Sequence, residues 1–188
     1  MDSVRHAGPG QGFQFLRLLI LLLLPPGAPA QDDALQSHYR LAPGDDIEVR
    51  VYGEDDLSMR LSVPTGGGVD YAFVGRFDLA GKSVSAVEQE FHDRLEGDYL
   101  VEPRVSVSVV SYRNVYAYGA VARPGGYAWE PSLTVRKVIT LAGGLQERAS
   151  GSKWYLVPEG GTEADRRRVD EDAPVNPGDT LTIEESFF

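Results

Sequence analysis

Two pairs of adjacent carboxylates are the first groups in this chain to consider for chemistry. They are Asp45–Asp46 and Asp55–Asp56. Glycosidases place two carboxyl groups across the bond that they cleave, but residues adjacent in sequence rarely face one substrate. Asp45 also follows a Pro-Gly dipeptide, where a role in a turn accounts for it, and Asp56 lies in a predicted loop. The pairs therefore do not predict a hydrolase.

Histidine and cysteine offer no better catalytic or metal-binding set. The chain has no cysteine, so it has neither a disulfide nor a thiol for lipid attachment, and its hydrophobic core must stabilise it. His38 precedes the predicted fold, and His92 lies on a predicted helix, four residues after Glu88 and beside Asp93. That position favours a surface ion pair over a metal site or a catalytic triad. We therefore expect a protein that is not an enzyme and that has no catalytic, cofactor-binding or metal-binding residues.

Aromatic and basic residues in the middle of the chain are better candidates, and their chemistry is binding. The aromatic residues are Tyr112, Tyr116, Tyr118, Tyr127 and Trp129. Their flat amphipathic rings can stack on sugars, although tyrosine and tryptophan also favour strands for packing reasons alone. Arg113 and Arg123 flank the same region. These cations would face the polymer if a bound polymer is acidic, but salt bridges between subunits explain them equally well.

Two Pro-Gly-Asp turns mark where strands begin. Pro43-Gly44-Asp45 precedes an alternating apolar strand from Ile47, and Pro177-Gly178-Asp179 precedes another from Leu181. Proline presets φ at the first corner position, and glycine accepts the positive φ that a type II turn requires at the second. Aspartate can bond its own backbone two residues further on. The repetition predicts two β-rich modules of related construction.

Residues 1–30 have the features of a secretory signal. The start is basic, the stretch 18–24 is apolar, and Ala28 and Ala30 are small residues at the cleavage positions. The apolar run is much shorter than the roughly 20 residues that cross a bilayer as a helix. We predict cleavage between Ala30 and Gln31, with an uncleaved membrane anchor as the alternative.

The charge of the chain argues against nucleic acid as a partner. There are 28 acidic and 18 basic residues, a net charge of −10, so a polyanion is repelled except at a local basic patch. The patch Arg166–Arg168 is interpreted as part of a solvated hairpin. The apolar fraction of 42% is typical of a globular protein.

Changes in the apolar period divide the chain after a polar lead-in over 31–38. A period of two predicts strands over 47–52, 59–63, 69–74, 105–109, 115–121, 154–157 and 167–169, and after the second Pro-Gly-Asp turn. A further Pro-Gly turn, Pro124-Gly125, follows the strand 115–121. A Gly160-Gly161 hairpin is expected to join the strands 154–157 and 167–169.

The first predicted helix lies between the third and fourth of these strands. Its buried stripe is Val84, Val87, Phe91 and Leu95, at spacings of three and four. Ser83 or Ser85 is the expected N-cap, and Ser85 with Glu88 would form a capping box. Gly97 is expected to end the helix.

The second predicted helix lies in the second half of the chain. Its buried stripe is Val135, Val138, Ile139 and Leu141. Ser132 or Thr134 is the expected N-cap, and Gly143-Gly144 end the helix in left-handed geometry. Each module is thus several short strands plus one main helix, which is an α+β plan.

Two stretches resemble a known family and its partner domain. The first comprises Tyr39-x-Leu41-x-x-Gly44-Asp45-x-Ile47-x-Val49-x-Val51-Tyr52-Gly53 and Tyr99-Leu100-Val101-x-Pro103-x-Val105-x-Val107. It resembles the periplasmic domain of the bacterial polysaccharide export (Wza-like) family. The second comprises Val115-x-x-x-Gly119-x-Val121-x-x-Pro124-Gly125-x-Tyr127 and Leu141-Ala142-Gly143-Gly144. It is similar to the soluble-ligand-binding β-grasp (SLBB) domain. On this basis we expect an export domain over 39–113 and a β-grasp-like domain over 114–188.

The resemblance implies a periplasmic component of a capsular or extracellular polysaccharide export apparatus, acting as a ring-forming conduit or adaptor. The implied partners are the exported polysaccharide, copies of the same chain, an inner-membrane co-polymerase and a separate outer-membrane β-barrel. Sheet edges that pair between subunits suit such a ring. A stand-alone soluble module that binds carbohydrate or another small ligand is the alternative, and an enzyme that modifies polysaccharide ranks well below both.

The sequence also departs from the family pattern. Larger members carry a lipidated N-terminal cysteine, further SLBB-like modules and a C-terminal amphipathic helix that builds the pore, and these are not seen here. We therefore expect a short periplasmic form that does not itself span the membrane and associates with the outer membrane through partners. The family's usual proline after the glycine-rich turn is replaced within 70–75, which leaves the geometry of that loop open.

Overall fold

The computed structural model describes residues 39–72 and 74–186. The predicted signal, its cleavage site and the lead-in over 31–38 lie outside these residues. Within the described ranges, no helix combines the length and the apolar character that crossing a membrane requires.

The first module contains a three-stranded antiparallel sheet, a β-hairpin and one long helix. In chain order the elements are β1 (Asp46–Val51), β2 (Met59–Ser62), β3 (Gly68–Tyr71), β4 (Gly75–Asp78), α1 (Val84–Leu95) and β5 (Val105–Ser111). β1 lies between β2 and β5 and pairs antiparallel with both, while β3 and β4 form the hairpin. A 3₁₀ helix, Asp55–Leu57, connects β1 to β2.

The core of this module lies between one face of the sheet and helix α1. The apolar residues of β1 are buried, whereas Glu48 and Arg50 between them form an ion pair on the open face. All four residues of the predicted stripe of α1 are buried. Phe77 of β4 stacks on Phe91 of α1 with ring centroids 4.0 Å apart. Burial of each such ring contributes roughly 1.5–3 kcal/mol, so this contact fastens the hairpin to the helix.

The start of helix α1 differs in one respect from expectation. Ser83 is the N-cap, and its hydroxyl accepts a hydrogen bond from the backbone N–H of Ala86. The predicted capping box between Ser85 and Glu88 does not form. Instead, the Glu88 carboxylate accepts a hydrogen bond of 2.9 Å from the backbone N–H of Val107 on β5. This hydrogen bond therefore joins helix α1 to the edge strand β5.

The second module is built around a mixed five-stranded sheet. Its elements are β6 (Val115–Gly119), β7 (Gly125–Tyr127), α2 (Val135–Leu141), β8 (Ala149–Val157), β9 (Arg167–Arg168) and β10 (Thr180–Glu185). The strand order is β7-β6-β10-β8-β9, and β6 and β10 run parallel while the other neighbours are antiparallel. The last strand of the chain therefore lies at the centre of the sheet.

Helix α2 covers one face of this sheet. Val135, Val138 and Ile139 are buried in the second core, as their spacing predicts. Leu141 was wrongly expected to complete the stripe and is 43% exposed. Ala142 is fully buried instead, because a residue seven positions after Val135 returns to the same helix face whereas one six positions after it does not.

Helix α2 begins and ends at residues that the sequence offers, although the Thr134 side chain makes no capping hydrogen bond. Thr134, and not Ser132, is the N-cap residue. Gly143 and Gly144 have φ angles of +84° and +94°, the left-handed geometry that glycine adopts without strain.

The fold class is α+β, as predicted, and the differences concern strand ends. β3 stops at Tyr71, and β4 begins at Gly75, which the sequence interpretation took as an interruption. β8 begins at Ala149, well before the predicted start at 154, because the polar and glycine residues of its first half hide the alternation. Each sheet has its own hydrophobic core.

Candidate functional site

The two Pro-Gly-Asp turns have the same local structure. In the first, the N–H of Asp45 bonds the carbonyl of Ala42 at 3.1 Å, and in the second the N–H of Asp179 bonds that of Asn176 at 3.1 Å. Gly44 and Gly178 have φ angles of +96° and +87°. The carboxylates accept from the N–H groups of Ala42 and Asn176, at 2.8 and 2.9 Å. The expected hydrogen bond to the backbone two residues later was wrong. Each carboxylate instead accepts from the N–H three residues earlier, across its own turn.

Asp45 is fully buried and lies at the junction of the two modules. Besides its turn, it accepts a hydrogen bond of 2.6 Å from the hydroxyl of Tyr39 and one of 2.9 Å from the backbone N–H of Arg113. Arg113 Nη1 lies 3.2 Å from Asp45 Oδ2 and donates to the Tyr39 oxygen at 2.5 Å. Because a buried carboxylate needs compensation, this set fixes the first turn to the segment that links the modules.

Arg113 also binds a carboxylate of the second module. Its Nε donates to Glu159 Oε2 at 2.6 Å, and its side chain is 16% exposed. Burial acts to lower the pKa of Arg113, but Tyr39, Asp45 and Glu159 outweigh it and the pKa is raised. Burial, with the hydrogen bond to Asp45, also raises the pKa of Tyr39. The guanidinium is therefore a permanent charge shared between both modules.

Asp179 occupies the equivalent position in the second turn but lacks such a cation among its hydrogen-bond partners. It is 2% exposed, and the hydrogen bonds to its carboxylate come from the backbone and side chain of Asn176 and the backbone of Glu159. Burial raises its pKa, although these bonds and the more distant charge of Arg167 act in the opposite direction. The two turns thus share a backbone but differ in electrostatics.

Three aromatic rings pack in a row across the junction, beginning with Tyr39 at the ion pair. Tyr39 and Tyr112 meet edge to face with centroids 4.9 Å apart, and Tyr112 and Trp129 do so at 4.7 Å. The indole N–H of Trp129 donates to the carbonyl of Val175 at 2.6 Å. Tyr112 and Trp129 are half-buried, so packing occupies part of their surface.

A polar cleft of about 520 Å³ opens beside this cluster, between the first turn and the second sheet. It is lined by Pro43, Gly44, Ser111, Tyr112, Arg113, Asn114, Tyr116, Val157, Pro158, Glu159, Gly160, Gly161, Gly178 and Thr180. Arg113 and Glu159 supply one charge of each sign, and they pair with each other. The cleft therefore has hydrogen-bonding groups and ring faces without a net positive charge.

Tyr116 and Tyr118 lie on the face of the second sheet that helix α2 does not cover. They are 50% and 67% exposed, while Val115 before them and Ala117 between them are buried. Tyr116 borders the polar cleft, and Tyr118 borders a more apolar groove of about 620 Å³ that includes Pro124. The open face of β6 thus connects the cleft with the groove.

Tyr127 and Arg123 lie apart from this face. The Tyr127 hydroxyl donates to the carbonyl of Arg123, and Arg123 Nη2 donates to the carbonyl of Leu141 at 3.1 Å. Tyr127 is half-buried against the second core. Of the seven residues predicted from the sequence, Tyr112, Arg113 and Tyr116 line the cleft. Trp129 packs on Tyr112, Tyr118 lies further along the same face as Tyr116, and Tyr127 and Arg123 brace a loop.

Sequence reasoning missed Tyr39 and Glu159 as members of the junction. Tyr39 was noted only for the family resemblance, and Glu159 has no motif around it. The one available signal was the pair of glycines after Glu159, because a hairpin tip there is able to approach the first turn.

The carboxylate pairs set aside in the sequence do not converge in the structure. Asp46 accepts a hydrogen bond of 2.5 Å from Ser62, and Asp55 and Asp56 are exposed on the 3₁₀ helix. His92 approaches Asp93 at 3.4 Å and Glu96 at 4.0 Å on the surface of α1. In the described part of the chain, no cluster of three or more candidate metal ligands is found.

The three arginines of the patch Arg166–Arg168 lie in two different environments. Arg166 forms ion pairs with Glu163 and Glu184 and lies 3.5 Å above the ring of Tyr155. Arg167 and Arg168 form the short edge strand β9 and are exposed. One of the three cations is therefore neutralised within the chain.

The fold and the cleft define an α+β protein of two modules that are joined by a buried ion pair beside a polar cleft. Residues 33–110 match the polysaccharide biosynthesis/export protein family, and residues 114–165 match the SLBB domain. The chain therefore carries a polysaccharide biosynthesis/export domain followed by an SLBB domain, as the sequence patterns predict.

Individual relatives are similar over much of the chain. The exopolysaccharide production protein ExoF of Rhizobium meliloti is 31% identical over 170 residues, which cover 82% of this chain and 40% of ExoF. The EPS I polysaccharide export outer membrane protein EpsA of Ralstonia solanacearum is 27% identical over 104 residues, 54% of this chain and 27% of EpsA. The chain thus aligns with less than half the length of these curated relatives.

Proposed function

We propose that this protein is a non-enzymatic component of a polysaccharide export apparatus. The observation that carries the proposal is the order of the two family matches, an export domain followed by an SLBB domain, over residues 33–165. The names of ExoF and EpsA support a role with exopolysaccharide. We place the boundary between the two domains at 113/114, within the segment that holds the junction ion pair.

The protein acts in the periplasm as a ring-forming conduit or adaptor. Its partners are copies of itself, an inner-membrane co-polymerase, the exported polysaccharide and a separate outer-membrane β-barrel, through which it associates with the outer membrane. Identical subunits that contact one another head to tail close into a ring when the rotation between them allows it.

Unpaired strand edges and exposed apolar residues support assembly. β2 is an edge of the first sheet and β9 an edge of the second. The other edge of the first sheet, β5, is partly covered because Glu88 binds the N–H of Val107. Val101 is 88% exposed and Val110 is 44% exposed. Such edges and side chains favour contact with another chain.

The assembly is tested by native mass spectrometry of the protein isolated from its own cells after mild cross-linking, alone and with the envelope fraction. We expect a closed homo-oligomer that also contains the co-polymerase or the barrel. Val101→Asp should weaken the oligomer, whereas Ser85→Asp, at an exposed polar position of α1, should not. A protein that stays monomeric both alone and with its partners contradicts the ring.

A monomer that binds oligosaccharide saturably would favour the second candidate, a stand-alone carbohydrate- or small-ligand-binding module. The observation in its favour is the polar cleft of about 520 Å³ at the junction, a volume within the roughly 300–1,000 Å³ range of ligand-binding clefts.

A further inference from the structure

We infer that the junction cleft, continued by the open face of β6 and β10, binds an uncharged segment of a glycan chain. The inference rests on the proposed function, because it names the part of the protein that the exported polymer contacts and the kind of sugar that fits there. It assigns a ligand chemistry to the cleft, whereas the family matches assign only the domains.

The charges of the cleft favour a neutral ligand. Among its lining residues, Arg113 is the one cation, and it already binds the carboxylates of Asp45 and Glu159. A uronate or sulfate group would have to compete with both carboxylates in a chain of net charge −10. Coulomb repulsion thus disfavours a polyanion, while a neutral sugar pays no such penalty.

The hydrogen-bonding groups of the cleft suit sugar hydroxyls. Arg113 uses Nε for Glu159 and Nη1 for Tyr39 and Asp45, and in the described residues Nη2 donates no hydrogen bond. Guanidinium carries five N–H donors in a fixed plane, so the same ion pairs that neutralise the group also hold its remaining donors in place. A preorganised donor binds a hydroxyl with little loss of side-chain entropy.

The open face of β6 and β10 supplies the apolar contacts. Tyr116 and Tyr118 are two residues apart on one face, so their Cα atoms are separated by roughly 6.5 Å along the strand. On the parallel neighbour β10, Thr180 lies beside Tyr116 and Thr182 beside Tyr118. These four side chains form a track along the open face, in which each tyrosine–threonine pair offers one exposed ring and one hydroxyl. Such a pair contacts both the apolar face and the edge groups of a pyranose ring.

The track also has a direction and two ends. It begins at the polar cleft beside Arg113 and ends at the apolar groove beside Tyr118 and Pro124. Gly126 lies under the Tyr116 ring, where an added Cβ would come within 3.2 Å of it. Gly126 of β7 therefore lets the Tyr116 ring of β6 lie close to the sheet, which leaves room above the ring for a ligand.

The test uses the protein from residue 31 onward and isothermal titration calorimetry. The probes are neutral hexasaccharides from partial hydrolysis of the producing strain's own polysaccharide, together with cellohexaose, laminarihexaose and hexagalacturonate. We expect saturable binding of the neutral fraction from the native polymer, with an affinity that changes little between low and high salt, because no net charge is neutralised.

Two tyrosine variants locate the site. Tyr116→Ala should weaken binding by about tenfold because it removes a stacking ring, and Tyr116→Phe should retain binding. Tyr52→Ala is the matched control, since Tyr52 is a 59% exposed tyrosine of the other module. Three results would each overturn the inference. The first is an equal loss of affinity in Tyr116→Ala and Tyr52→Ala, and the second is no loss in Tyr116→Ala. The third is binding of hexagalacturonate alone, with strong salt dependence.

Failure of this inference is distinguishable from failure of the proposed function. If wild-type protein binds none of the neutral fragments while its removal from cells still abolishes surface polysaccharide, the export role stands and the cleft assignment is wrong. If binding is found but export does not depend on the protein, the cleft assignment stands and the stand-alone module becomes the better account.

Discussion

Asp45 and Asp179 show how two copies of one turn acquire different roles through a single neighbour. Both carboxylates are buried and both accept a hydrogen bond across a Pro-Gly turn. Only Asp45 has a guanidinium against it, from Arg113. The first turn is therefore tied to the junction by an ion pair, whereas the second turn contacts the linking segment through a backbone hydrogen bond from Gly178 to Asn114 and has no guanidinium against its carboxylate.

We predict that Asp45→Asn lowers the free energy of unfolding by about 2–4 kcal/mol, because it breaks a buried ion pair and leaves Arg113 and Tyr39 with an amide in place of a carboxylate. Chemical denaturation monitored by circular dichroism measures the loss. Asp56→Asn, at an exposed position of the 3₁₀ helix, is the control and should change stability by less than about 0.5 kcal/mol. Similar values for the two variants would contradict a role for Asp45 at the junction.

Asp179 gives a prediction about pH. Its pKa is raised in the folded protein above the ordinary value of 3.8, so the folded state holds the proton more tightly than the unfolded state does. Stability from this group is therefore fully present below its ordinary pKa and is lost as the pH rises through the raised value. Asp179→Asn removes the titration but keeps an acceptor for Asn176.

Unfolding measured at several pH values, from below the ordinary pKa of 3.8 upwards, checks this sign. We expect the stability of Asp179→Asn relative to wild type to improve as the pH rises. A relative stability that is constant with pH, or that falls as the pH rises, would show that the folded-state pKa of Asp179 is not raised.

At the residue scale, the sequence predicted the turns and not their partners. Proline, glycine and aspartate report their backbone geometry through local sterics, so Pro43-Gly44-Asp45 was readable in isolation. The contact of Arg113 with Asp45 joins positions 68 residues apart, and no local pattern encodes it. For the same reason Glu159 was missed.

Strands β6 and β10 pair at the centre of the second sheet, and Gly119 lies where the two backbones approach each other closely. Gly119 has a φ of +87°, and an added Cβ would overlap the carbonyl oxygen of Ile183 on β10. Gly53 has a φ of +88° and open space around the same position. The two glycines thus share a backbone conformation and differ in the close approach of a neighbouring strand.

We predict that Gly119→Ala destabilises the protein by about 2 kcal/mol more than Gly53→Ala. Both variants place a side chain in the left-handed region, which costs roughly 1 kcal/mol, and only the first adds a steric clash of strands, which costs about 1–3 kcal/mol. Thermal unfolding of the two variants side by side measures the difference. Equal losses would mean that β10 shifts freely away from β6.

Helices and strands were predictable where the spacing of the apolar residues stayed constant along the segment. The stripe from Val84 to Leu95 gave helix α1 because tertiary contacts reinforce the local pattern. The capping box at Ser85 failed because Glu88 reaches a strand that is distant in sequence, and the polar start of β8 was missed because pairing with β10 sustains it. Pairing and docking of this kind depend on the whole fold.

For the whole molecule, the junction explains how two small domains are held in one arrangement. The guanidinium of Arg113 bridges Asp45 of the first module and Glu159 of the second, and the Tyr112 and Trp129 rings pack alongside. A subunit of fixed shape is what a closed ring requires, since each contact must repeat with the same rotation. The junction cleft lies beside this ion pair, so a polymer bound in the cleft, as proposed above, would contact residues that also hold the modules together.

The central claim, that this protein takes part in polysaccharide export, is tested most directly in the native cell. Residues 31–188 are deleted and polysaccharide is measured separately in the surface and periplasmic fractions, with a complemented strain beside the deletion. We predict loss of surface polysaccharide, with either accumulation in the periplasm or arrest of synthesis, and recovery on complementation. Unchanged surface polysaccharide would contradict the export role and leave a stand-alone binding module as the better account.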